Sequence, residues 1–331
     1  MLIGATAASA LSFTAAPKKR LIKPRRLRKG QTIGLITPGS FLADEGLQKA
    51  VTNLENLGFQ VKMGKNIRAE MGYVAGTDPQ RLADLHDMVQ DSQVDAIWCA
   101  RGGYGCSRLL PYIQYDLFKK YPKALIGYSD ITALHVAIHQ ATGLVTFHGP
   151  VGASDFTEYT ALQLQKVLME PEAGPSPVLR APGEDSGPFA PYTIRPGVAS
   201  GPLMGGNLSL LSALAGTDFQ AKVKGKLLFV EEVGEKPYRV DRMLVQLLQS
   251  CDLRQAAGIM LGVFADCEAA EGDRSLSLSD TLKGQLAGLG IPVAYGISFG
   301  HVKDQCTLPL GIPAQFDAGS LQFRLLEPAV V

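Results

Sequence analysis

Along residues 32–150 short apolar runs alternate with segments of helical period. "TIGLITPGS" (32–40) reads as a buried strand closed by a Pro-Gly turn, and "ADEGLQKAVTNLENLG" (43–58) as an amphipathic helix ended by Gly58. "FQVKM" follows as a second strand. A polar loop over 64–78 leads to a helix over 79–90, for which Asp78 is the expected cap. "VDAIWCA" (94–100), "KALIGY" (123–128) and "LVTFHGP" (144–150) are three further strands, and "SDITALHVAIHQATG" is a helix between the last two. Strands and helices alternating at this pitch predict a doubly wound, mostly parallel α/β sheet.

From 171 to 200 the chain is loaded with Pro and Gly and loses its period, which predicts an interdomain crossing. Beyond it, "GNLSLLSALAG" (206–216) reads as a helix. "GKLLFVEEVGEKPYRVDRMLVQLLQS" (225–250) gives a buried strand, a turn and a helix with Pro237 near its start. "AAGIMLGVF" is another buried strand, and "TLPLGIPAQFDAGSLQFRLLEP" gives short strands and turns. This half is a mixed β/α domain, richer in β than the first. The expected organisation is an extension with a basic lead-in over 1–24, an α/β domain over 25–170, a linker over 171–200 and a second domain over 201–331.

A net charge of +1 removes any global electrostatic case for nucleic acid. The five cysteines are scattered with no CxxC pair, which suggests neither a zinc site nor a disulfide framework. "MLIGATAASALSFTAAP" is uncharged and too short for a comfortable membrane span, so no stable membrane insertion is expected. It is either the remnant of an export signal, with "ATAASA" as an A-x-A-like cleavage site, or a disordered extension, so a periplasmic and a cytoplasmic protein both stay open. The basic run "KKRLIKPRRLRKG" reads as a solvated lead-in, since no aromatic residue is interleaved to favour a polyanion-binding arm.

In doubly wound sheets, sites lie at the carboxyl ends of strands. Two unusual segments fall there: Arg101-Gly102-Gly103-Tyr104-Gly105 and Tyr128-Ser129-Asp130. Ser129 stands at a strand-to-helix corner, the place of a nucleophile elbow, although Ile131 replaces the second glycine of G-x-S-x-G. The alternative is that Ser129 only caps its helix. As an elbow it would aim the N–H of Asp130 at a developing oxyanion, with a second N–H from the Gly102–Gly103 turn.

A serine nucleophile needs a base. His135 and His139 have i, i+4 spacing but no HExxH and no third ligand, and they lie down the helix away from the corner. His86 reads as a surface residue. His148 ends a strand at the site edge and is a candidate substrate contact. His301, in a Gly-flanked loop without period, is the better base. Glu231 and Glu232 end an apolar strand, where one could orient the base or pair with Arg239 or Arg242. The order Ser129, Glu231, His301 would assemble a triad across two domains.

"RGGYG", "IGYSDITALH", "TFHGP", "GGNLSLLSALAGT", "LLFVEEVGEKPYRVDRML" and "GHVKDQCTLPLG", in this order over about residues 25–325, resemble the LD-carboxypeptidase family, which includes muramoyltetrapeptide carboxypeptidases and microcin-immunity peptidases. The resemblance implies a Ser-Glu-His hydrolase, with Ser129 in "GYSD", Glu231 first in the "EE" pair and His301 in "GH". It implies a homodimer, no metal and no organic cofactor. The implied reaction removes the terminal D-alanine from murein tetrapeptides in peptidoglycan recycling. Arg101, whose guanidinium fork suits a carboxylate, and Tyr104 join His148 as candidate substrate contacts. Arg101 could equally brace the glycine loop. Cys106 and Cys306 near the site, and the apolar N-terminus, depart from the family pattern. Two other readings remain: a microcin-C-type peptidase cutting peptidyl-nucleotide amides, which needs an aromatic platform that Trp98 in a strand does not offer, and a murein-peptide binding protein without turnover.

Overall fold

The computed structural model describes residues 21–170 and 190–331, so the signal-like stretch and most of the expected linker lie outside the described residues. The first half of the chain forms β1 (Thr32–Ile36), α1 (Asp44–Asn56), β2 (Gln60–Met63), α2 (Asp78–Gln90), β3 (Ala96–Cys99), α3 (Tyr115–Lys120), β4 (Ala124–Gly127), α4 (Thr132–Thr142), β5 (Phe147–His148) and α5 (Glu158–Leu168). The second half adds β6 (Tyr192–Arg195), β7 (Val198–Asn207), α6 (Leu208–Ala213), β8 (Leu227–Val233), α7 (Pro237–Cys251), β9 (Gly258–Ala265), α8 (Leu278–Leu286), β10 (Val293–Tyr295), β11 (Leu308–Pro309), β12 (Pro313–Asp317) and β13 (Gln322–Leu325).

One sheet runs β11-β5-β4-β3-β1-β2. Its strands β1 to β5 pair in parallel, and β3 and β4 are buried along their whole length, as a doubly wound sheet requires. The edge strand β11 comes from the far end of the chain and pairs antiparallel with β5. The other sheet runs β13-β12-β7-β8-β9-β10-β6, parallel from β7 to β10 and antiparallel at both margins. On α7, Val240, Met243, Leu244 and Leu247 fall at helical spacing and are buried against this sheet, at roughly 1.5–3 kcal/mol for each large side chain.

Helix α4 joins the two halves and is buried nearly all round. Its Val136 packs into the core of the second sheet, while Leu134 and Ile138 belong to the core of the first. At its N-terminus the Thr132 hydroxyl accepts from Asn207 N–H at 2.9 Å, tying the ends of β4 and β7 together.

Several expectations need correction. Thr77, not Asp78, caps α2: its side chain and that of Gln80 form a reciprocal capping box. Asp78 instead pairs with Arg81 and Arg108. The strand expected over 144–150 is only two residues long. The helix expected from 206 begins at Leu208, because Gly206 and Asn207 finish β7 and Asn207 is the cap. Helices α3, α5 and α8 stand outside the elements that the sequence pattern predicts, and β6 and the start of β7 fall in the aperiodic stretch before 200. Among the described residues no helix is long and apolar enough to cross a membrane.

Candidate active site

After β4 the chain turns through Tyr128 into a single 3-10 turn, Ser129–Ile131, that feeds α4. Ser129 has φ 63, a left-handed conformation that costs a non-glycine residue on the order of 1–3 kcal/mol. Tyr128 holds the cap position of the turn and Ile131 that of α4, and among the described residues the Ser129 hydroxyl makes no capping bond, so the capping reading falls. The Ser129 Oγ instead lies 3.2 Å from His301 Nε2, and His301 Nδ1 lies 2.7 Å from Glu231 Oε2. A carboxylate can only accept here, so Nδ1 carries the hydrogen and Nε2 is left to accept from the hydroxyl.

Glu231 sits near the end of β8 and is fully buried. Its Oε1 has no partner among the described residues. Gly300 lies against it: a β-carbon there would come within 2.7 Å of Glu231 Cβ, and φ is 105, so only glycine lets the histidine loop approach. Burial pulls the His301 pKa down, but the hydrogen bond and charge of Glu231, with the charge of Glu232 behind it, outweigh burial and leave it above the ordinary histidine value. Glu232 plays a different part. It accepts from Asn207 Nδ2 (2.9 Å) and from Ser209 N and Oγ (2.7 Å each), fastening the start of α6. The expected alternative, an ion pair to Arg239 or Arg242, is not formed among the described residues; Arg239 pairs with Glu235.

The glycine-rich loop presses on the serine corner. A β-carbon on Gly102 would sit 3.0 Å from Ser129 Cβ and 3.2 Å from Asp130 N. Three groups hold the loop in place. Ser40 donates its N–H to Gly102 O (2.9 Å) and accepts from Tyr104 N–H at Oγ (3.1 Å). Asp130 Oδ2 accepts from Cys106 N–H at 2.9 Å. Arg81, 2% exposed, donates from Nη1 to Pro38 O (2.6 Å) and Gly105 O (3.0 Å). Burial raises the Asp130 carboxyl and pushes the Cys106 thiol well up, so Cys106 is not a ready nucleophile. Arg81 and Ser40 went unnoticed in the sequence. The available signal was that Arg81 occupies the apolar stripe of α2 with Leu85 and Met88.

The His301 loop belongs to the second half of the chain but is fastened by α5. Gln305 N–H donates to Thr160 Oγ1 (3.0 Å), Thr160 Oγ1 donates to Lys303 O (3.3 Å), and Thr157 Oγ1 bonds Asp304. Beside His301 a cleft of about 350 Å³ opens, walled by Tyr128, Lys49, Asp155, Lys303 and Gln305.

The expected substrate contacts divide. Arg101 is exposed on the glycine loop, where its Nη1 donates to Phe41 O at 3.1 Å. Tyr104 is exposed and meets Tyr73 edge-on at 5.3 Å. His148 does not reach the cleft: it is 1% exposed and packs on Tyr128, Phe229 and Phe299. Burial holds its pKa well below the usual value, so it is a neutral core ring. His135 Nε2 donates to Gly127 O (2.8 Å), and burial pulls its pKa down to about 4. His139 Nδ1 bonds Leu144 O, and His86 Nε2 accepts from Gln114 N–H. Trp98 is buried and donates to Pro150 O.

Comparison with known proteins gives the family of the chain. Residues 33–149 match the LD-carboxypeptidase N-terminal domain and residues 200–316 the LD-carboxypeptidase C-terminal domain. A probable murein peptide carboxypeptidase of Bacillus subtilis is 42% identical, over 88% of this chain and 90% of its own. The crystal structure of a muramoyltetrapeptide carboxypeptidase from Oxalobacter formigenes is similar with a TM-score of 0.77 at 29% identity, covering 89% of this chain and 98% of that one. An MccF-like protein from Bacillus anthracis gives a TM-score of 0.80 at 29% identity, covering 92% and 99%. The chain is a hydrolase of the carboxypeptidase class, and it belongs to the LD-carboxypeptidase family.

Proposed function

We propose that the chain is a serine L,D-carboxypeptidase that removes the terminal D-alanine from murein tetrapeptides. The observation that carries this reading is the relay from Glu231 through His301 to Ser129, with the serine held at φ 63 at a strand–helix corner. In the proposed reaction His301 Nε2 takes the Ser129 proton as Oγ attacks the peptide carbonyl. Glu231 holds the imidazole in the productive tautomer and stabilises its charged form. The N–H groups of Asp130 and of the Gly102–Gly103 turn hold the oxyanion, at roughly 2.7–4 kcal/mol for each such donor. The C–N bond then breaks, His301 returns the proton to the leaving D-alanine amine, and water repeats the cycle on the acyl-enzyme. As in the family, the working unit is proposed to be a homodimer.

The test is incubation of the protein and of Ser129→Ala with L-Ala-γ-D-Glu-meso-diaminopimelate-D-Ala, reading free D-alanine. Release by the native chain, and a loss on the order of 10⁶-fold in the variant, is expected. A second reading, cleavage of peptidyl-nucleotide amides, draws on the likeness to the MccF-like protein and on the exposed Tyr73–Tyr104 pair, which offers the aromatic surface that buried Trp98 does not. Hydrolysis of a peptidyl-sulfamoyl nucleoside with no release from tetrapeptide would favour it. Tetrapeptide binding with neither product would leave a binding protein.

A further inference from the structure

A carboxypeptidase must recognise a free carboxylate on the residue it releases. The position of that residue follows from the relay. His301 Nε2 has to deliver a proton to the leaving nitrogen, so the leaving residue lies on the His301 side of Ser129, away from the glycine loop that abuts Asp130 N. The cleft walled by His301, Tyr128, Lys49, Asp155, Lys303 and Gln305 is on that side. It is open to solvent, and its volume of about 350 Å³ has room for one small residue.

The cleft carries two cations and one anion. Lys49 is already neutralised, with its Nζ 2.6 Å from Asp155 Oδ1. Lys303 makes no ion pair of its own among the described residues, although it is near enough for its charge to act on Asp155. The cleft is therefore one positive charge in excess, and that charge stands two residues beyond the base. The backbone of Lys303 is fixed, because its carbonyl accepts from Thr160 Oγ1 and the next two residues are bonded to α5. Arg101 does not line the cleft and already donates to Phe41 O.

Resting on the carboxypeptidase reading above, we propose that this cleft is the leaving-residue subsite and that Lys303 reads the terminal carboxylate of the residue released. One ammonium facing one carboxylate completes the charge balance of the cleft, and a charge-assisted contact discriminates against a neutral terminus.

The experiment compares kcat/KM for the tetrapeptide and for its C-terminal amide, in the native protein and in the Lys303→Met, Lys303→Arg and Arg101→Met variants. Lys303 and Arg101 are exposed, and a matched thermal unfolding profile confirms each fold. The native protein should prefer acid over amide by roughly 10- to 100-fold, the scale of one hydrogen bond to a charged group. Lys303→Met should bring that ratio close to one, Lys303→Arg should keep most of it, and Arg101→Met should keep it. A ratio that survives in Lys303→Met, or that collapses in Arg101→Met instead, overturns the assignment while leaving the carboxypeptidase reading intact. No D-alanine release from either substrate by the native chain overturns both.

Discussion

Ser129 and His301 meet in one hydrogen bond but are positioned by opposite means. Ser129 takes its position chiefly from a short stretch of chain, buried β4, the left-handed serine itself and the start of α4, against which the Gly102 turn and Asn207 then close. His301 rides on a segment between β10 and β11 with no helix or strand of its own. Its orientation is borrowed from Glu231, 70 residues earlier, and from Thr160 of α5, which bonds the neighbouring Gln305 across 145 residues. The nucleophile is stored in local backbone strain, and the base in long-range hydrogen bonds. Distant substitutions should therefore disturb the base and spare the nucleophile.

The largest effect that separates the two is expected for Glu231→Gln. The amide can present its N–H to Nδ1 and so favour the wrong tautomer, while the Ser129 corner is untouched. We expect kcat to fall about 10⁴-fold, as tautomer loss does in other triads, with the fold retained. Activity within tenfold of native would falsify the assigned role of Glu231. Next comes Gly102→Ala, which places a methyl 3.0 Å from Ser129 Cβ and 3.2 Å from Asp130 N. Loss of one oxyanion donor predicts a drop of roughly 10²–10³-fold in kcat with KM little changed. A change confined to KM would argue that the loop binds substrate and does not hold the oxyanion.

Gly300→Ala tests the other side. A β-carbon 2.7 Å from Glu231 Cβ, at φ 105, must push the His301 loop away. A displacement near 1 Å is worth on the order of 10²-fold in rate, so kcat should fall by about that factor. The serine should still be labelled by a small, self-activated electrophile at a rate closer to native. Equal loss in turnover and labelling would mean that both halves depend on this contact, and the comparison would fail.

The same division explains what could be read from the sequence. The strand–turn–helix at Ser129, helix α1 before Gly58 and the Pro237 start of α7 are legible because period and punctuation are local. The cap of α2 falls one residue before the expected Asp78 because Thr77 and Asp78 are both capping types; Gln80, three residues after Thr77, decides between them. His148 misled through its place at a strand end. It pairs with Gly127 and Leu308 in the sheet, and its ring is turned into the aromatic cluster of the core. Nothing near Thr160 in sequence announces that it fastens a loop 145 residues away, and Asp78, three residues before Arg81, announces an ion pair but not the carbonyls of Pro38 and Gly105 that the guanidinium also holds. Residues whose work is done by distant contacts left no local mark.

The smallest effect is the most discriminating. Thr160→Val removes the hydroxyl between α5 and the His301 loop, a net loss of about 1 kcal/mol, and should lower kcat/KM by less than tenfold. Its signature lies in the pH profile. His301 must be neutral to accept the serine proton, and its pKa is held above the ordinary histidine value, so kcat/KM of the native protein should fall as pH drops through that raised value. The same shift gives folded-state stability that is present below the unfolded histidine pKa and fades as pH rises through the folded one. A loosened loop weakens the hold of Glu231 on His301, so in Thr160→Val the acid limb should move down toward about 6.5, the ordinary value. Gly102→Ala should lower the plateau and leave the limb in place, because it touches the serine corner and not the imidazole. The reverse pattern, a limb fixed in Thr160→Val and shifted in Gly102→Ala, would place control of the base in the local corner and undo the division between strain and borrowed contacts.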